Sequence, residues 1–306
     1  MKPAAQTSEP TPHTPAGNER SEFVVMLLAA LQRGRYTPRA WGRFFADSWR
    51  KSRQTAKAHP SLARSWARVS VGMGLLGLAG WAVIWLVEGQ QVALRVLPTL
   101  ALCLIVQQSD VFVHLGLNRA PDGRLRGRLG LPTTLTLIRG TLAGLLVAHL
   151  LRGVVPPPAL TLGLYLPGVA TDLLDGPLAR RTSWTTRLGG YLDGEADFYL
   201  FASVTLCTWL AGRLPGWFAL AMLLRFVIVI AGAIFSYFVA IRQVDFRHTI
   251  WGRLTGTGQA LCLIVALLPI SPGLASGLLP LLLVTLALAV LAPIMGVRQQ
   301  LRFWKL

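Results

Sequence analysis

Long apolar runs, repeated along the chain, constrain this sequence more than any other feature. Eight segments qualify: Val69–Val87, Val92–Val106, Leu131–Leu151, Ala159–Thr171, Gly189–Ala211, Trp217–Ile241, Leu254–Ile270 and Leu274–Met295. A helix needs about 20 largely apolar residues to cross the hydrocarbon core. Within lipid, every backbone N–H and C=O must be paired inside the chain. The expected fold is therefore all-α, a polytopic membrane protein. Val92–Val106 is short, and crosses only if it runs past Gln107 and Asp110 toward Val113. Ala159–Thr171 crosses only by continuing into the polar stretch after it. Composition agrees: 14% of residues are charged, against about 25% in soluble domains.

The net charge is +17, which suits either a nucleic acid or an anionic membrane surface. Distribution decides between them. With the N-terminus in the cytoplasm and all eight segments crossing, 25 of the 30 Lys and Arg fall on the cytoplasmic side. This is a positive-inside pattern with both termini inside, expected in the inner (plasma) membrane. No basic helix demands a nucleic-acid partner. Residues 1–20 are polar and Pro-rich, read as a disordered tail without the apolar core of a cleavable signal. Residues 21–69 mix Trp41, Phe44, Phe45 and Trp49 with Arg39, Arg43, Arg50 and Arg53. We read them as interfacial amphipathic helices, apolar face in the bilayer and Arg on anionic lipids. Cys103, Cys207 and Cys262 lie singly in apolar runs and support neither a disulfide framework nor a thiolate zinc site.

Acids are scarce, yet five of 13 fall within residues 172–197. Asp172 and Asp175 are spaced i,i+3, Asp193 and Asp197 i,i+4, so each pair shares a helix face. Two such helices side by side aim four carboxylates into one space, where they repel unless a cation intervenes. Oxygen ligands without His or Cys point to Mg2+ or Mn2+. Gly176 and Ala179 keep the first face narrow, and Arg180 can neutralise a phosphate. Glu195 points away from the Asp193/Asp197 face and reads as structural, as do the isolated His114, His149 and His248. Two plainer readings compete. One is an interfacial loop whose acids pair with Arg180, Arg181 and Arg187; the other is a transporter with a cytoplasm-facing cation site. A transporter is expected to show repeats or broken helices at mid-membrane, whereas these acids cluster in a single two-helix unit.

The array Asp172-x2-Asp175-Gly176-x2-Ala179-Arg180-x8-Gly189-x3-Asp193-x3-Asp197 resembles the signature of the CDP-alcohol phosphatidyltransferase family, with all eight fixed positions present. Leu131–Arg139 (LPTTLTLIR) is similar to that family's first-helix motif, with Thr134 where Asn is usual. The resemblance implies a six-helix membrane domain over 131–296, preceded by about two extra membrane helices in 70–118 and followed by a cytoplasmic tail, 297–306. It implies transfer of a phosphatidyl group from a CDP-lipid to an alcohol, with release of CMP. Asp172, Asp175, Asp193 and Asp197 would hold two metal ions, and Asp197 would also be the catalytic base. Gly176, Ala179, Arg180 and Gly189 would contact CDP.

The acceptor is less legible. Arg225 lies mid-span, where an unpaired charge is costly. Arg242, Arg247 and Arg253 cluster at the cytoplasmic end of the next helices. The Gly252–Gln259 stretch resembles, in part, a segment of glycerophosphate-transferring members. Arg225, Arg242 and Arg253 are therefore expected to hold a phosphorylated polyol, glycerol 3-phosphate or inositol phosphate. A homodimer is a further expectation.

Overall fold

The computed structural model describes residues 18–235, 238, 250–269 and 284. Among them are nine α-helices and a single isolated bridge, Arg119 to Leu125, in place of any strand. The helices are α1 (Asn18–Arg33), α2 (Pro38–Ala58), α3 (Pro60–Glu88), α4 (Gln90–Val113), α5 (Leu131–Leu151), α6 (Pro158–Arg181), α7 (Arg187–Leu210), α8 (Gly216–Ile234) and α9 (Ile250–Leu267). The last apolar segment expected from the sequence, Leu274–Met295, lies outside the described residues apart from position 284, as do residues 1–17, Arg242, Arg247 and His248. α1 begins at Asn18, so the final three residues of the expected disordered tail are helical.

Local chemistry sets the boundaries. Pro38, Pro60, Pro132 and Pro158 stand in the first helical turns, where a missing N–H costs nothing. Thr37 and Thr186 cap α2 and α7 by accepting the N–H of Ala40 and Gly189. Gly89, at φ +86°, is the whole connection between α3 and α4, making them a tight antiparallel hairpin.

α3, α4 and α5 are each long and apolar enough to cross a membrane. The fate of their apolar faces differs. Only 17% of the apolar window of α3 and 22% of that of α4 is buried within the protein, against 56% for α5. Val71, Leu75 and Leu78 on α3 and Leu94, Leu102 and Ile105 on α4 face outward, as lipid-facing side chains do. α5 is instead the hub, touching α3, α4, α6 and α7. Gly80 lets α3 approach it, because a Cβ there would stand 2.4 Å from Leu145 Cδ1.

Polar clamps pin the α3–α4 hairpin to α5 at both ends. Gln107 Nε2 donates to Leu137 O at 2.9 Å and Gln107 Oε1 accepts from Thr141 at 3.1 Å. At the far end the buried His149 pairs with Glu88 at 2.9 Å. Gln107 and Asp110 belong to the continuous 24-residue α4, so the segment starting at Val92 does extend to Val113. α6 likewise runs unbroken through its polar half to Arg181, about 36 Å in all.

Candidate metal and active site

α5, α6 and α7 meet at the ends of α6 and α7 that adjoin the 182–186 turn. Asp172 and Asp175 project from α6, Asp193 and Asp197 from α7, as the i,i+3 and i,i+4 spacings require. The structure thus brings the two acid pairs together. Their common partner is Arg139 of α5, about 12 Å along that helix from its N-terminus. Its Nη1 lies 3.1 Å from Asp172 Oδ1 and 3.1 Å from Asp193 Oδ1. The same nitrogen donates to Asp197, and Nη2 donates to Asp175. Arg180, Arg181 and Arg187 are exposed, and none of them makes an ion pair with this cluster among the described contacts. The loop-pairing alternative is overturned by Arg139, which α5 carries into the cluster from within the membrane domain.

Among the described residues, four carboxylates face one guanidinium, an excess of negative charge. The acids are not equivalent. The Asp175 side chain is 10% exposed and turned inward, where Thr136 Oγ1 also reaches it at 3.4 Å. Asp172, Asp193 and Asp197 are 36–42% exposed and open to solvent. Each of these three offers an oxygen within 4.8 Å of the others, a donor set suited to a metal ion. Hard carboxylate oxygens with excess negative charge fit a divalent cation such as Mg2+ or Mn2+.

Other expected residues have visible jobs. A Cβ on Gly189 would stand 3.2 Å from Thr186 Oγ1 and 3.5 Å from Thr133 Oγ1, so glycine lets the starts of α5 and α7 come close. The Arg180 guanidinium folds back over Gly176, with Nη1 3.4 Å from where a Cβ would be. Ala179 accepts the Trp184 N–H at 2.9 Å, closing the end of α6. Thr134, in the place of the usual Asn, bonds back to Gly130 O at 3.1 Å and shapes the start of α5. The Arg225 and Arg253 side chains lie outside what is described.

Sequence reasoning places Arg139 at the end of the first-helix motif but gives it no role at the site. A charge inside an apolar span was the available signal, the one applied to Arg225. Tyr165 was missed as well. It lies two turns before Asp172, fully buried, its hydroxyl without a hydrogen-bond partner among the described residues.

Glu195 does point away from the cluster. It accepts from Tyr191, whose hydroxyl also lies 3.3 Å from Asp110 on α4. Asp110 in turn sits 3.1 Å from His114 Nδ1. Burial disfavours the charged imidazole, but the Asp110 carboxylate outweighs it and raises the His114 pKa above its ordinary 6.5.

The sequence pattern of the family described as CDP-alcohol phosphatidyltransferase matches residues 129–294. The chain belongs to the CDP-alcohol phosphatidyltransferase family. That match takes in α5 to α9 and every residue of the acid cluster, and leaves α1 to α4 outside. Curated relatives named CDP-diacylglycerol–glycerol-3-phosphate 3-phosphatidyltransferase, from Yersinia enterocolitica serotype O:8 and from Yersinia pestis, are 39% identical over 75 residues. The Yersinia pseudotuberculosis serotype I protein of that name matches equally. The alignment covers 24% of this chain and 41% of each relative, so the chain spans about two-fifths of their length. No solved structure matches.

Proposed function

We propose that this protein is a membrane transferase that moves a phosphatidyl group from a CDP-linked lipid, such as CDP-diacylglycerol, to an alcohol, releasing CMP. The observation that carries this reading is the convergence of Asp172, Asp193 and Asp197 oxygens within 4.8 Å, on two helices of a membrane domain. A diphosphate is the natural substrate of such a site, since cations held by these acids neutralise it and stabilise the leaving CMP. Two ions, Mg2+ or Mn2+, match a ligand set of Asp172, Asp175, Asp193 and Asp197.

The residues divide the work. Asp172 and Asp193 fix the outer, solvent-open rim. Asp197 takes the proton of the acceptor hydroxyl as its oxygen bonds to the lipid-side phosphorus and the bond to CMP breaks. Arg139, whose guanidinium stands among the four acids, pairs with their carboxylates and orients them. Gly176, Ala179, Arg180 and Gly189 line the CDP side. The acceptor is a phosphorylated polyol, glycerol 3-phosphate or inositol phosphate, held by Arg225, Arg242 and Arg253; the names of the Yersinia relatives favour the first.

The site and both termini face the cytoplasm of the plasma membrane, in line with the distribution of Lys and Arg. Residues 131–296 are the catalytic domain, 70–118 are added membrane helices, and the part of 21–69 ahead of α3 lies on anionic lipid, with a homodimer as the assembled form. The test is to incubate purified protein with radiolabelled CDP-diacylglycerol, Mg2+ or Mn2+ and a panel of alcohols. Release of CMP only when an acceptor is present supports the reading. Absence of CMP release with every alcohol and either metal overturns it.

A further inference from the structure

The segment between α4 and α5 lies ahead of the matched family region apart from its last two residues, 129 and 130, and carries Arg119, Arg124, Arg126 and Arg128 within ten residues. It does not trail loose. Asn118 Nδ2 donates to Arg126 O at 3.0 Å and to Arg128 O at 2.9 Å, folding the segment into a loop. Leu129 N donates to Ser65 Oγ on α3 at 3.0 Å. Arg126 Nη2 donates to Ser183 O at 2.9 Å, tying the loop to the turn that joins α6 and α7. Between these anchors lies an open depression of about 510 Å3, lined by Ser61, Arg124, Arg126, Arg128 and Trp184, with Asp122 its sole acid.

Its chemistry is that of an anion site. The Arg126 and Arg128 guanidinium carbons stand 4.8 and 4.9 Å from the centre of the Trp184 ring. Stacking on an aromatic face holds a guanidinium flat, so that Arg128 can fork onto an oxyanion, while Arg126 already donates Nη2 to Ser183 O and offers its remaining N–H groups. The Trp184 indole N–H and the Arg126 Nε are buried without a hydrogen-bond partner among the described residues. Arg124 is largely exposed and lies 3.7 Å from Asp122. Three guanidiniums against one carboxylate leave a formal +2 in the lining. A phosphate monoester carries roughly −1.5 to −2 at neutral pH.

We propose that this pocket, built by α3, the α4–α5 loop and the α6–α7 turn, binds a phosphate ester group at a site separate from the acid cluster. The source is the headgroup of an anionic phospholipid or a soluble phosphorylated compound; the recognition chemistry is shared. The extra α3–α4 hairpin thereby supplies a wall of a binding site. This inference does not depend on the proposed transfer reaction.

The experiment uses the full-length protein in phosphatidylcholine nanodiscs, with EDTA present so that the acid cluster holds no metal. One arm titrates inorganic phosphate by calorimetry. The other adds phosphatidate to the nanodiscs and measures lipid retained on the protein by native mass spectrometry. Wild type is expected to bind saturably in at least one arm. The double variant R124Q/R128Q is expected to weaken that binding at least about tenfold, the loss of one charge-assisted contact or more. Both residues are exposed, so folding is preserved, and circular dichroism checks it. Arg128→Lys, which keeps charge but loses the fork, is expected to weaken binding as well. Binding in the soluble arm identifies a free phosphate compound; binding in the lipid arm alone identifies a headgroup. No saturable binding in either arm, or equal affinity in R124Q/R128Q, overturns the proposal.

Discussion

Arg139 Nη1 stands 3.1 Å from Asp193 Oδ1, across 54 residues of sequence and between α5 and α7. The contact joins a fully buried cation to a carboxylate at the mouth of the site. Removing the guanidinium takes away the one counter-charge described beside all four acids, and breaking a buried ion pair typically costs about 3–5 kcal/mol. Arg139→Gln is therefore expected to lower the thermal midpoint sharply and to reduce CMP release at least about a hundredfold. Arg139→Lys, which keeps the charge without the fork, should lie between. An Arg139→Gln variant with wild-type melting temperature would contradict this account.

The opposite substitutions should separate stability from activity. Asp172→Asn or Asp193→Asn removes one of four mutually repelling charges around a single guanidinium. Asp193→Asn should melt at or above the wild-type temperature, and in both variants turnover should fall at least about a hundredfold. EDTA should abolish turnover without unfolding the protein, and Mg2+ or Mn2+ should restore it. Full activity in EDTA or in either variant would reject a metal role for these acids.

His114 predicts a pH-dependent stability. Its raised folded pKa, set by Asp110 with Tyr191 and Glu195 nearby, means the folded state binds the proton more tightly than the unfolded chain. The stabilisation is complete below the ordinary pKa of 6.5 and is lost as pH rises through the higher folded value. The difference in thermal midpoint between wild type and His114→Gln should therefore be largest near pH 6 and shrink toward pH 9. A difference that grows with pH would be the wrong sign.

Gly130 offers a steric test. A Cβ there would fall 1.8 Å from Trp184 Cδ1, within the ring rather than beside a flexible chain end. Gly130→Ala should force the indole aside, at a cost of about 1–3 kcal/mol. Chemical denaturation would show this as a lower midpoint. A neutral effect would mean the ring moves freely.

Much of this was legible in the sequence for a physical reason: helix periodicity and lipid solvation are local rules. Eight apolar runs dictated an all-helical membrane protein, because lipid leaves the backbone no other partner. The i,i+3 and i,i+4 spacings put Asp172 with Asp175 and Asp193 with Asp197, because one helix fixes its own faces. Even the outward turn of Glu195 followed from its place between Asp193 and Asp197.

Relations between helices were not legible. Nothing local says that Arg139, 33 residues before Asp172, sits among all four acids; that depends on α5 packing between α6 and α7. Nor does spacing distinguish the inward Asp175 from its three solvent-open companions. By sequence the loop arginines are topology charges alone; Trp184, from a distant turn, stands beneath two of them. Sequence determined which helices form and which face of each is polar. Tertiary packing decided which faces meet, because burial and electrostatic pairing between helices depend on distances that no single helix contains.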